Sequence, residues 1–145
     1  MDGVERPDMA AGPGSADSGD GSVVLVVGDE PTVRAETARV LTLAGMEVAV
    51  AANGRDALRL IVDGRVRPTV VVTDIEMPGM TGVELAARVL ALRPTIRIVM
   101  MTADEMRAAT ARRHPSIVDA VLVKPFRPEA LVAAVRPGPD LVTVP

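Results

Sequence analysis

Two residues in this chain have the type and setting to do chemistry. Asp74 ends the run Val70-Val71-Val72-Thr73, and Lys124, the only lysine among 16 basic side chains, ends the run Ala120-Val121-Leu122-Val123. An unbroken apolar run fits a strand covered on both faces, and a carboxylate at its carboxyl end points into the crevice where open α/β sheets bind ligands. Where nearly every other cation is arginine, a lone lysine at a strand end suggests a need for a compact, mobile ammonium. Two further strand ends carry polar groups: Asp29-Glu30 follows Val23–Val27, and Thr102 follows Ile96–Met101. All carboxyl ends of a parallel sheet share one edge, so these distant residues can converge. Two carboxylates held close together repel, which favours a hard divalent cation such as Mg²⁺ bound through oxygen. A hydroxyl and an ammonium beside them suit a phosphoryl group. The chemistry implied is phosphoryl transfer, in which positioning and charge neutralisation do most of the work.

Alternating strand and helix patterns supply the frame. Val23–Val27 reads as a strand, and Pro31–Ala44 as a helix with Pro31 in its first turn and Gly45 at its stop. Met46–Ala51 reads as a second strand closed by the turn signal Asn53-Gly54, with a helix over Arg55–Val62. Strand Val70–Asp74 precedes a helix over Gly82–Leu92, whose Leu85, Val89 and Leu92 share a face and which Pro94 ends. Strand Ile96–Met101, a helix over Asp104–Arg113 and strand Ala120–Val123 follow, and a last helix from Pro128 is stopped by Pro137-Gly138-Pro139. Five strands alternating with five helices imply right-handed crossovers and a parallel sheet with helices on both faces, a doubly wound α/β fold.

Composition narrows the function classes. At 145 residues the chain supports one domain able to bury roughly 70% of its unfolded surface. With 48% hydrophobic residues and Phe126 as the only aromatic, the core is built from aliphatic side chains and methionine. The absence of cysteine excludes disulfides, zinc–thiolate sites and thiol catalysis. Five of the 19 acids (Asp2, Glu5, Asp8, Asp17, Asp20) but only one base, Arg6, fall in residues 1–22. That Gly/Ser/Asp/Ala/Pro-rich stretch reads as a disordered acidic leader. The rest is nearly neutral and carries no electrostatic footprint for nucleic acid. No export signal or membrane-length apolar run is present, so the expected location is the cytoplasm and no membrane partner is expected.

Four stretches together resemble the receiver domain of bacterial two-component response regulators, in its stand-alone, CheY-like form. They are Val24-Leu25-Val26-Val27-Gly28-Asp29-Glu30-Pro31, Thr73-Asp74-Ile75-Glu76-Met77-Pro78-Gly79-Met80-Thr81-Gly82, Met101-Thr102-Ala103 and Leu122-Val123-Lys124-Pro125-Phe126. The resemblance covers residues 23–136, leaving 137–145 as a tail, and implies a five-stranded flavodoxin-like sheet in the order 2-1-3-4-5. It implies that Asp74 accepts a phosphoryl group from a phosphohistidine on a sensor kinase or phosphotransfer protein. Asp29, Asp74 and the main-chain carbonyl of Glu76 would hold Mg²⁺. Lys124 would pair with the phosphoryl oxygens, Thr102 would hydrogen-bond to them, and the small Ala103 would leave room. The peptide from Lys124 to Pro125 would be cis. On this reading the protein is a signalling switch rather than an enzyme. With no output domain expected after the last helix, it would act through contact with a downstream protein or by passing the phosphoryl group on.

Three positions depart from the family pattern. Gly28 stands where a first acid is usual, which should weaken Mg²⁺ binding; Glu30 lies one residue too far along to replace it. Val121 stands where Tyr or Phe is frequent, so an aromatic rotamer switch is unavailable and phosphorylation should act mainly through Thr102 and the loop before helix four. The last helix is short. Gly28 and Val121 keep a rival open, a receiver that is never phosphorylated and serves as a docking module. Plainer roles are also open: Asp29 and Asp74 as caps, Thr102 as the cap of helix four, Glu76 as a solvent-exposed side chain contributing only its carbonyl. Arg107, Arg112 and Arg113 read most simply as a solvated helical face. An aspartyl-phosphate phosphatase would want a second Asp where Glu76 stands.

Overall fold

The structure is a computed structural model and describes residues 23–136. The expected leader and tail lie outside the described residues. In chain order the elements are β1 Val23–Val27, α1 Pro31–Leu43, β2 Glu47–Ala51, α2 Gly54–Val62, β3 Val70–Asp74, α3 Gly82–Leu92, β4 Arg97–Thr102, α4 Glu105–Arg112, β5 Ala120–Val123 and α5 Pro128–Val135. The strands form one parallel sheet in the order β2-β1-β3-β4-β5, as expected.

Alternation along the central strands builds two core layers, because successive side chains point to opposite faces. Leu25, Val27, Val71, Ile98 and Met100 pack with Ala57, Ile61, Leu85, Val89 and Ala111 from α2, α3 and α4. Val24, Val26, Val70, Val72, Val99 and Met101 pack with Leu41 of α1 and with Leu131 and Val135 of α5. Each fully buried aliphatic side chain contributes roughly 1.5–3 kcal/mol relative to exposure, so the central strands hold the sheet edge rigidly.

Local boundaries shift by a residue or two for identifiable reasons. Thr69 O accepts Arg97 N–H at 3.0 Å and Thr102 O accepts Lys124 N–H at 2.8 Å, so the β4 ladder runs from Arg97 through Thr102 rather than Ile96–Met101. Met46 N–H returns to Leu41 O at 3.1 Å, which leaves β2 to begin at Glu47. Asn53-Gly54 is the start of α2 and not a separate turn: the Asn53 side chain accepts Asp56 N–H at 2.7 Å as a helix cap. Gly45 follows α1 at φ 95°, the left-handed conformation that glycine adopts without penalty.

Candidate functional site

The carboxyl ends of β1, β3, β4 and β5 bring the expected residues to one edge. Asp74, the last residue of β3, is 6% exposed although it carries a carboxylate. Lys124 follows β5, and its Nζ donates to Asp74 Oδ1 at 2.7 Å. The Lys124–Pro125 peptide is cis, as the resemblance implies. Burial, the largest single influence, pushes the Asp74 carboxyl up; Lys124 pulls it down, the nearby charges of Asp29 and Glu76 push it up, and the net result lies above the ordinary carboxylate value. The site therefore holds one buried carboxylate whose charge is incompletely compensated by protein.

Gly28 bears directly on that carboxylate. A Cβ at Gly28 would lie 2.8 Å from Asp74 Oδ2, closer than side chains tolerate. The Asp74 side chain thus uses space that any other residue at position 28 would restrict. Gly28 is fixed by its own N–H to Ala51 O at 3.1 Å and by Arg34 Nη1 donating to its carbonyl at 2.7 Å. Asp29 is exposed at the mouth of the crevice. The helix-capping role falls to its neighbour Glu30, whose Oε1 accepts Thr32 N–H at 3.0 Å and Val33 N–H at 3.4 Å. Asp29 is therefore not the cap of α1, and Glu30 is occupied elsewhere.

Thr102, at the end of β4, is 1% exposed. Its hydroxyl donates to the Glu76 carboxylate at 3.0 Å to Oε2, with Oε1 at 3.3 Å, and accepts Asp104 N–H at 3.0 Å. Thr102 does not cap α4; Asp104 does, with Oδ1 accepting Met106 N–H and Arg107 N–H at 2.8 and 3.2 Å. Two expectations need correction here. The Glu76 side chain, although exposed, is not a solvated bystander, and Arg107 is not merely part of a solvated face. Arg107 Nε lies 2.8 Å from Glu76 Oε2 and 3.5 Å from Asp104 Oδ2. A cleft of about 440 Å³ is lined by Asp29, Ile75, Glu76, Met77, Pro78, Thr81 and Arg107, the chain neighbour Ile75 being its nearest approach in sequence to Asp74.

The donor chemistry suits Mg²⁺. Among the described residues, no third acidic side chain joins Asp29 and Asp74 in a cluster able to hold a metal. Asp29 lies near enough for its charge to act on Asp74, and both Asp29 and Glu76 line the adjoining cleft. One or two carboxylates with a carbonyl, the remainder water, is how proteins commonly bind this ion. An added cation would also offset the uncompensated charge on Asp74.

Residues 24–136 match the response regulator receiver domain family. The DNA-binding response regulator MtrA of Mycolicibacterium smegmatis is 35% identical over 113 residues, covering 78% of this chain and 48% of that protein. The chemotaxis protein CheY of Thermotoga maritima is 31% identical over 117 residues, covering 80% of this chain and 96% of that protein. The chain thus spans about half the length of the MtrA relatives and nearly all of that CheY. Among solved structures, the response regulator TrrA of Thermotoga maritima in complex with Mg²⁺–BeF is similar at a TM-score of 0.70 and 30% identity, covering 79% of this chain and 96% of that one.

Proposed function

This chain belongs to the response regulator receiver domain family, and so to two-component signalling, and from that premise we propose that Asp74 is its phosphoacceptor. The carrying observation is the buried Asp74 carboxylate at the end of β3, with Oδ1 held by Lys124 at 2.7 Å and Oδ2 beside the side-chain-free Gly28. An Asp74 oxygen attacks the phosphorus of a phosphohistidine on a sensor kinase or phosphotransfer protein. The new O–P bond forms as the P–N bond breaks, and the imidazole nitrogen leaves with the bonding pair and takes up a proton. Lys124 then shifts its ammonium from the carboxylate to the phosphoryl oxygens, and the Thr102 hydroxyl donates to another. Asp29, Asp74 and the Glu76 carbonyl are the groups proposed to hold Mg²⁺, which supplies charge neutralisation as the phosphoryl group moves. The outcome is a change in which proteins the domain contacts. The stand-alone form, a cytoplasmic location and a protein rather than nucleic-acid output belong to the same proposal.

Gly28 supports a second reading, a receiver that docks without ever being phosphorylated. A small-molecule phosphodonor such as acetyl phosphate with Mg²⁺, followed by intact mass, separates the two. The acceptor reading expects one phosphoryl adduct that Asp74→Asn abolishes. No adduct from either the donor or a cognate kinase favours the docking module.

A further inference from the structure

The Thr102 hydroxyl has one proton, and in this structure that proton is given to Glu76 rather than to anything at Asp74. Glu76 is in turn held by Arg107, from the first turn of α4. The hydroxyl that is to serve the phosphoryl group is therefore already committed to a carboxylate anchored on the next helix. We infer that the Glu76 side chain is a positioning residue, a competitor that holds Thr102 in the unmodified state and links its release to α4 through Arg107. The inference rests on Asp74 as acceptor and goes beyond it by giving this chain a switch element.

A dianionic phosphoryl group on Asp74 changes the competition in two ways. Its oxygens accept the Thr102 proton, and its charge repels the Glu76 carboxylate. Donation to one acceptor excludes the other, so the arrangement has two discrete states, and the phosphoryl group favours one by its differential contact. When Thr102 turns, Glu76 loses one of its two partners and the Glu76–Arg107 pair is free to move. Arg107 also lies 3.5 Å from the cap residue Asp104, so that movement reaches the cap of α4 directly. The coupling needs no aromatic side chain, in keeping with Val121 at the position beside Met100 in the sheet.

The test uses Mg²⁺ with beryllium trifluoride, which forms a tetrahedral phosphoryl-like group on a carboxylate. Affinity is measured for the wild-type chain, Glu76→Ala, Thr102→Ala and the double variant. The inference expects Glu76→Ala to tighten binding about fivefold, the effect of removing one hydrogen-bond competitor. In the Thr102→Ala background the same substitution should change binding less than about twofold, because the contested hydroxyl is gone. Equal gains in both backgrounds would mean charge repulsion alone and would overturn the inference. As a second readout, the Arg107 Nε–H resonance should shift on loading in the wild type and stay fixed in Glu76→Ala; an unmoved wild-type signal also overturns it. If the wild type fails to bind the complex at all, the acceptor reading falls and takes this inference with it. Binding with equal gains sinks the inference alone.

Discussion

Replacing Lys124 with methionine keeps most of the side-chain volume and removes the ammonium from Asp74. Breaking a fully buried ion pair by removing one partner costs about 3–5 kcal/mol. Here the Lys124 side chain is 29% exposed and that of Asp74 8%, so water reaches one end of the pair and about 1–3 kcal/mol is the expected loss. With a urea m-value near 2 kcal/mol/M, the midpoint should fall by roughly 0.5–1.5 M at pH 7.5. The pH dependence is the stricter check. Burial already holds the Asp74 carboxyl above its ordinary value of 3.8, against the pull of Lys124. Removing Lys124 raises it further. A folded-state value above the unfolded one gives stability that is present below the unfolded pKa and is lost as pH rises through the folded value. The deficit of Lys124→Met should therefore be largest at pH 7.5 and shrink towards pH 4.5 as Asp74 takes a proton. Urea denaturation of both proteins at the two pH values provides the comparison. An equal deficit at both, or no deficit at pH 7.5, would refute the claim that Lys124 compensates a buried charge.

Asp74→Asn should raise stability at neutral pH, since burial together with the charges of Asp29 and Glu76 disfavours the Asp74 charge more than Lys124 supports it, and this advantage should fade as the wild-type carboxyl is protonated; denaturation at pH 7.5 and 4.5 reads both. Gly28→Ala places a methyl 2.8 Å from Asp74 Oδ2, which should displace the carboxylate, cost about 1 kcal/mol and slow adduct formation with acetyl phosphate. Chelating Mg²⁺ should suppress that adduct and re-adding the ion should restore it, as followed by intact mass. Thr81→Ala removes a capping box in which Thr81 accepts Glu84 N–H at 3.1 Å and Glu84 accepts Thr81 N–H at 3.0 Å, and should lower stability by about 1 kcal/mol in thermal denaturation.

The convergence of Asp74 and Lys124 was legible because it follows from topology: both end apolar strands, and a parallel sheet puts such ends on one edge. The run Val70–Asp74 announces burial on both faces, and β3 is buried throughout, whereas the equally apolar run Ala120–Val123 is the edge strand and only half-buried. The limits of β4 were not legible, because Thr69 and Lys124 fix them through hydrogen bonds to strands distant in sequence. The Glu76–Arg107 pair was missed for a related reason. It joins a loop to a helix, both ends are partly exposed, and no periodicity marks it. A local signal did exist: Arg107 falls three residues after the cap Asp104, in the first turn of a helix that begins beside Thr102. In the sequence, Gly28 is simply one acid fewer. That its missing side chain is also the space used by Asp74 Oδ2 is a packing fact that only three dimensions supply.

The most direct test is to locate the modification. An acyl phosphate is reduced by borohydride to an alcohol, so an aspartyl phosphate becomes homoserine. After treatment with acetyl phosphate and Mg²⁺, borohydride reduction and peptide mapping should find homoserine at position 74 and nowhere else. Homoserine at another aspartate, or an unreduced Asp74 under conditions that label a control receiver, would contradict the account.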